Sequence, residues 1–330
     1  MKSPAIPPAV QTLFADLQQQ VETAPLAGSV YRRTMNGADY IYAKMPVGVG
    51  RIDQFIGKSG DAEAEARAKS LQTGADLSTQ RRRIVAFLRR QGLAGPDRTM
   101  GAILDVLAHA GLFNAGAVLV GTAAYLVSEA LVGRRLPAPT LMTGDLDLAT
   151  ASLALTAEPP ERLETILRRA DPTFEGVAQL KAKAPPSRFR NASGYLVDLV
   201  APMRSREDSN PVALAQLSAG AAPLQYLAWL IDGAVPIVAL WGAGVLVNVP
   251  QPARFAVHKL ILAQRRDASG RLKRAKDLAQ AKALIDVLLE HEPFALEDAL
   301  RDARAQGEKG WSAPIDRSLE EIGLKGLGET

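Results

Sequence analysis

Residues 117–148 read AVLVGTAAYLVSEALVGRRLPAPTLMTGDLDL, and this stretch decides the fold. The apolar run 117–120 predicts a buried strand, Gly121-Thr122 a turn, and 123–132 a helix. After a proline-containing loop, Thr-Gly-Asp-Leu-Asp-Leu at 143–148 predicts a second strand. Side chains alternate along a strand, so Asp145 and Asp147 point to the same face. Two like charges that close repel one another unless a cation lies between them, and hard divalent cations take oxygen ligands of this kind. The Gly-Thr turn opens a helix, where unpaired backbone N–H groups and the positive end of the dipole favour a phosphate. A phosphate cradle beside a two-carboxylate metal site is equipment for handling a nucleotide.

An Asp-x-Asp by itself is a weak signal, and a third carboxylate strengthens it. Residues 194–200, Gly-Tyr-Leu-Val-Asp-Leu-Val, read as a strand with one acid, Asp198, in an otherwise apolar run. An unpaired buried Asp costs several kcal/mol, so it needs a cation or hydrogen-bond donors. The plainer reading is an Asp that caps a loop at a strand end. In the functional reading Asp198 joins Asp145 and Asp147 in a cage for two Mg²⁺ ions, one clamping a triphosphate and one activating an attacking hydroxyl.

Composition narrows the remaining classes. A chain of 330 residues with 47% hydrophobic and 22% charged residues can bury a large core in two or three structural units. No apolar stretch reaches the roughly 18 residues that span a bilayer, and the first residues lack the apolar segment of a signal peptide. The expected setting is the cytoplasm, with no membrane partner. The absence of cysteine excludes disulfides, thiolate metal sites and thiol nucleophiles, and three scattered histidines argue against a zinc site. The net charge of +4 is modest, and arginine also serves simply to solubilise a surface. Its clustering at 81–83, 89–90, 134–135 and 265–276 suits a polyanion, either a triphosphate or a nucleic acid.

Along the chain, 8–21 has helical spacing. Two alternating runs, 29–34 and 39–44, flank Asn36-Gly37, which predicts a β-hairpin. A third strand is expected at 51–56. The aromatic, basic face of this sheet could bind something, or its rings could simply form stabilising cross-strand pairs. Helices are expected at 61–91 and 98–110. Polar loops are expected at 185–186 and 205–211, a hairpin at 235–249, and helices from 252 to about 305.

At the acidic residues a resemblance becomes plain. The chain resembles the nucleotidyltransferase superfamily built like DNA polymerase β. That pattern is a strand, Gly-Gly or Gly-Ser, a helix, Asp-x-Asp or Asp-x-Glu, and a later strand Asp; here Gly121-Thr122, Asp145-Leu146-Asp147 and Asp198 stand in those places. Thr122 replaces the usual Ser or Gly, and the interval before Asp145 is longer than usual, which implies an insertion around 133–139. The C-terminal order Lys259, Arg265-Arg266, Lys276-Asp277-Leu278 is similar to the helical half of abortive-infection toxin nucleotidyltransferases. It is closer still to a bacterial branch of unassigned substrate in which a Tyr-rich hairpin precedes the core. A basic helix face with i,i+4 pairing is the plainer reading of Arg265, Arg266 and Asp277.

The resemblance implies an α+β nucleotidyltransferase fold, a small mixed sheet with flanking helices. An N-terminal helix, hairpin and long helix occupy 1–95, a catalytic core 96–205, and a C-terminal hairpin and helical unit 206–330. It implies metal-dependent (Mg²⁺ or Mn²⁺) transfer of a nucleoside monophosphate from an NTP such as ATP to an acceptor hydroxyl. Asp145, Asp147 and Asp198 would bind metal. Gly121 and Thr122 would hold phosphates, helped by Arg265 and Arg266. Lys259 would reach the triphosphate as a flexible point charge, and Asp277 would orient it or act in catalysis. RNA, in particular the tRNA 3′ end, fits as acceptor, with an antitoxin or operon partner for the toxin-like branch. An Asp-x-Asp glycosyltransferase would leave the Gly-Thr turn and Asp198 without a role. An inactive nucleotidyltransferase domain that binds nucleic acid or protein is a further alternative.

Overall fold

In the computed structural model the described residues are 3–24, 26–47, 50–137, 144–150, 161–178, 184–205, 210–267 and 270–328. Expectations for Thr143, for residues 206–209 of a polar loop and for the end of the insertion, 138–139, lie outside them. The architecture is α+β, with one large core running from Ile6 to Leu319 and a small satellite core near the N-terminus.

Helix α1 (Pro8–Glu22) buries Val10, Phe14 and Leu17 in the large core. Asn36 and Gly37 take positive φ values of 51° and 76°, which makes the tight turn between β1 (Ser29–Met35) and β2 (Ala38–Val47). With β3 (Gly50–Lys58) they form an antiparallel sheet in the order β1-β2-β3. Helix α2 (Ala62–Arg90) opens where the Asp61 carboxylate accepts the Ala64 N–H at 2.8 Å. Its first turns press Ala64, Ala68 and Leu71 onto Ile41, Ala43 and Ile56, which is the satellite core. Its last turns send Val85 and Leu88 into the large one. Asp97 caps α3 (Arg98–His109) in the same way, through the Met100 N–H.

The central sheet contains β4 (Val118–Val120), β5 (Asp145–Ala149), β6 (Glu175–Gly176), β7 (Arg188–Arg190), β8 (Leu196–Pro202), β9 (Val212–Leu214) and β10 (Ala219–Leu224). Its order is β4-β5-β8-β10-β9, with β7 along the first half of β8 and β6 beyond it. The pairs β5–β8 and β8–β10 are parallel, while β4–β5 and β7–β8 are antiparallel. Because β9 and β10 join this sheet, it draws on residues from both sides of position 205. Helix α4 (Gly121–Val127) follows β4 directly, and α5 (Leu163–Arg168) lies in the β5–β6 connection.

A short helix α6 (Leu227–Ile231) leads to the hairpin β11 (Val235–Ala239) and β12 (Val245–Val249). The chain closes with α7 (Pro252–Ala263), α8 (Arg271–His291), α9 (Pro293–Ala305), a π-helical turn at Glu308–Ser312, and α10 (Ala313–Glu321). No helix among the described residues is long and apolar enough to cross a membrane.

Two expectations need correction. The helix expected at 123–132 stops at Val127. Ser128 turns its hydroxyl back onto the Ala124 carbonyl at 2.7 Å, and buried Glu129 accepts the N–H groups of Ala94 and Leu136, drawing the chain into turns. Several clustered arginines are also used internally rather than offered to a polyanion. Arg81 is buried, Arg134 bonds His291 and Glu290, and Arg135 donates to the Gln91 carbonyl.

One side chain ties the small hairpin to the central sheet. Asn248 on β12 donates from Nδ2 to the carbonyls of Phe113 at 2.8 Å and Ala117 at 2.9 Å, just before β4. Replacing it leaves two carbonyls without this donor. Asn248→Leu should lower stability by about 1–3 kcal/mol, read as a shift in denaturant midpoint at constant slope.

Candidate active site

Strand register assembles the acidic residues. Parallel pairing of β5 with β8 sets Asp147 directly beside Asp198, with Asp145 two residues upstream on the same face. On the other side, antiparallel β4 sets Val120 opposite Asp147, so Gly121 emerges next to that carboxylate. Gly121 has a φ of +65°, and a β-carbon built on it would collide with Asp147 Oδ2. Backbone conformation and the approach of the acid therefore both demand glycine here.

The Asp147 carboxyl is pushed up from its ordinary value of 3.8 to about 6. Burial is the largest cause, followed by the charges of Asp145 and Asp198, while Lys259 and Lys273 pull the other way. A hard cation would relieve this crowding of oxygen donors, so the donor set fits a divalent metal. Asp198 is differently engaged. Its Oδ1 accepts Arg188 Nε at 2.6 Å and its Oδ2 accepts Arg188 Nη2 at 2.8 Å. Among the described residues no three Asp, Glu or His side chains stand gathered as a ready metal cage.

The facing wall comes from α7 and α8. Lys259 is buried and donates to Asp277 Oδ1 at 2.7 Å, with its ammonium 5.2 Å from the Phe255 ring centroid. Arg266 reaches Asp277 Oδ2 at 3.0 Å. Asp277 therefore holds two cations from the preceding helix and its end, rather than an i,i+4 partner on its own helix. Lys273 and Lys276 add further charge on the same side. Burial drives the His258 imidazole down to about 3, so it is neutral around pH 7. Arg265 donates to the Tyr226 hydroxyl and lies over that ring, 5.4 Å from the centroid. Tyr226 has a φ of +66°, an unusual state for a bulky residue.

All nine residues singled out from the sequence line one cleft of about 560 Å³. Six basic side chains, from Arg188, Lys259, Arg265, Arg266, Lys273 and Lys276, meet four carboxylates there, an excess of positive charge suited to a polyphosphate. A second hollow of about 720 Å³, which includes Arg204, Lys309 and Trp311, shares Gln225, Tyr226 and Arg265 with it.

A family model described as nucleotidyltransferase matches residues 98–305, more than half of the chain. The chain belongs to that family. Comparison with curated proteins and with solved structures gives no match. The nucleotidyltransferase span includes β4, the three acids and the cationic helices, and it leaves the β1–β3 sheet and α10 outside.

Sequence reading passed over Arg188 and Tyr226, and it gave Lys276, quoted within the Lys-Asp-Leu order, and Lys273 no role in the site. Arg188 was detectable in part: Arg-Phe-Arg at 188–190 alternates as a half-buried strand does, but only register shows that it faces Asp198. Lys273 and Lys276 fall one turn apart on a helix, a common surface pattern that by itself does not show which of them faces a cleft.

Asp147 yields a test that needs no substrate. A carboxyl held above its unfolded value contributes stability that is complete below about pH 4 and is lost as pH rises through about 6. In metal-free buffer this residue should therefore weaken the fold as pH goes from 4 to 7, by up to about 2–3 kcal/mol. Asp147→Asn should flatten that part of the Tm–pH profile and raise Tm at pH 7.5, measured by differential scanning calorimetry.

Proposed function

We propose that this nucleotidyltransferase moves a nucleoside monophosphate from an NTP to an acceptor hydroxyl, with pyrophosphate leaving, and that it uses Mg²⁺ or Mn²⁺. The observation that supports this reading is the register that sets Asp147 beside Asp198 across from a cationic helix wall. Asp145 and Asp147 would hold both cations, and Asp198 would complete one of the two after leaving Arg188. Bound cations neutralise the triphosphate and activate the attacking hydroxyl.

The chain's own groups do the positioning. Gly121 and Thr122 begin α4, whose positive dipole end would face the β- and γ-phosphates. Lys259 and Arg266, fixed by Asp277, present charge to the departing pyrophosphate at no cost of rearrangement. Arg265, with Tyr226, stands between the cleft and the second hollow and gives a nucleotide and an acceptor adjoining sites. Catalysis of this type consists of positioning and electrostatics. RNA, and the tRNA 3′ end within it, is the acceptor we favour. Kinship with the toxin-type branch, an antitoxin or operon partner and a cytoplasmic setting belong to the same proposal.

Incubation with each α-labelled NTP, Mg²⁺ or Mn²⁺ and total cell RNA should place label in RNA. Label in the protein instead would identify a protein hydroxyl as acceptor. Asp145→Asn should cost on the order of a hundredfold or more in labelling; unchanged turnover in that variant would refute the mechanism. Gly121→Ala should lower the labelling rate by more than about tenfold, because the added carbon displaces Asp147 and strains the turn.

A further inference from the structure

The β1–β3 sheet precedes the residues that the family model matches, and the chemistry above gives it no task. One face of it packs on α2. The other carries Tyr31, Tyr42 and Phe55 in a single row, since Tyr31 pairs with Tyr42 across β1–β2 and Tyr42 pairs with Phe55 across β2–β3. Tyr31 and Tyr42 stack with centroids 5.6 Å apart, Tyr42 meets Phe55 edge-on at 5.5 Å, and Tyr40 adds a fourth ring 6.1 Å from Phe55.

Cations flank this row. Arg33 and Lys58 pair with Tyr40 on one side, and Lys44 stands on the other, its ammonium 5.4 Å from the Tyr31 centroid. Arg51 shares the face by alternation. Among the described residues none of these four forms an ion pair. One acid, Asp53, shares the face and stands opposite Lys44 in register. By contrast, Arg32 on the helix side is paired with Glu65.

Cross-strand rings do stabilise small sheets, but that accounts poorly for their placement. The packed face of this sheet uses Ile41, Ala43 and Ile56, while Phe55 remains 55% exposed. Five of the eight phenylalanines are buried in the same molecule; Phe87 and Phe294 are exposed as well, but neither stands in a row of rings as Phe55 does. Half of the chain's six tyrosines lie on the outer face of this sheet. Rings that offer π surface between rows of positive charge match unpaired bases joined by phosphates. A duplex hides its base faces, and an acidic peptide would have no use for the rings.

We propose that the outer face of the β1–β3 sheet binds single-stranded nucleic acid, with bases on Tyr31, Tyr42 and Phe55 and phosphates at Arg33, Lys44, Arg51 and Lys58. The nucleotidyltransferase reading enters only in making that strand the acceptor; binding itself does not depend on it.

The test is fluorescence anisotropy of the full chain with a labelled single-stranded RNA of about a dozen nucleotides, over a range of salt. Phe55→Ala should weaken binding by about fivefold to a hundredfold, and Phe55→Tyr should restore it. Arg33→Glu with Lys58→Glu, at exposed positions that leave the satellite core intact, should weaken binding and reduce its salt dependence. All of these variants should bind Mg-ATP as the parent does, measured by calorimetry. Equal RNA affinity for the parent and Phe55→Ala would overturn the proposal. So would RNA binding lost in Arg266→Ala but kept in the sheet variants, which would place the strand in the cleft. A dimer seen by light scattering that Phe55→Ala dissociates would overturn it too, since a second copy would then own the face. Failure of the parent to bind Mg-ATP would count against the proposed reaction and leave this surface untouched.

Discussion

Two carboxylates stand side by side across β5 and β8, where burial denies them much of the water that would separate their charges. Like charges so placed raise each other's energy, and the Asp147 carboxyl, pushed up to about 6, registers that cost. The surroundings answer it in three ways. Arg188 comes in from β7 to occupy both oxygens of Asp198. Lys259 and Lys273 bring positive potential from the facing helices. Gly121 gives up a side chain so that the Asp147 carboxylate has room. One arginine, two lysines and one glycine thus answer a single electrostatic problem.

Much of this could be read from residue order because it is local. Strand alternation puts Asp145 and Asp147 on one face wherever the strand lies. The Asn36-Gly37 turn, the Asp61 and Asp97 caps and the hairpin 235–249 are each specified within a few residues. What could not be read depends on contacts between distant segments. The Arg188–Asp198 pair needs the register of β7 on β8, and the sheet's continuation through β9 and β10 needs a pairing across an intervening loop. The early end of α4 has the same origin, since Glu129 is recruited by backbone groups at 94 and 136. Arg81 shows the converse error: a run of three arginines reads as surface charge, yet one of them faces inward.

The two halves of the cleft are of different kinds. The sheet supplies acids on short, paired strands whose positions hydrogen bonding fixes. The helices supply long cationic side chains, and these require separate anchoring. Asp277 anchors Lys259 and Arg266, while Tyr226, held in a strained backbone state, anchors Arg265. Cations held in place before a ligand arrives act more strongly than cations that must first be gathered.

The buried Lys259–Asp277 pair also bears on when the molecule becomes complete. An ammonium and a carboxylate can leave water only together, so α7 cannot seat Lys259 until α8 has delivered Asp277. During synthesis the acids at 145, 147 and 198 leave the ribosome well before position 277 does. A nascent chain therefore carries the acidic half of the cleft, with Arg188 on Asp198, for a time without the cations that α7 and α8 bring. On the reaction proposed above, the cationic wall for a triphosphate is assembled only when the C-terminal helices dock.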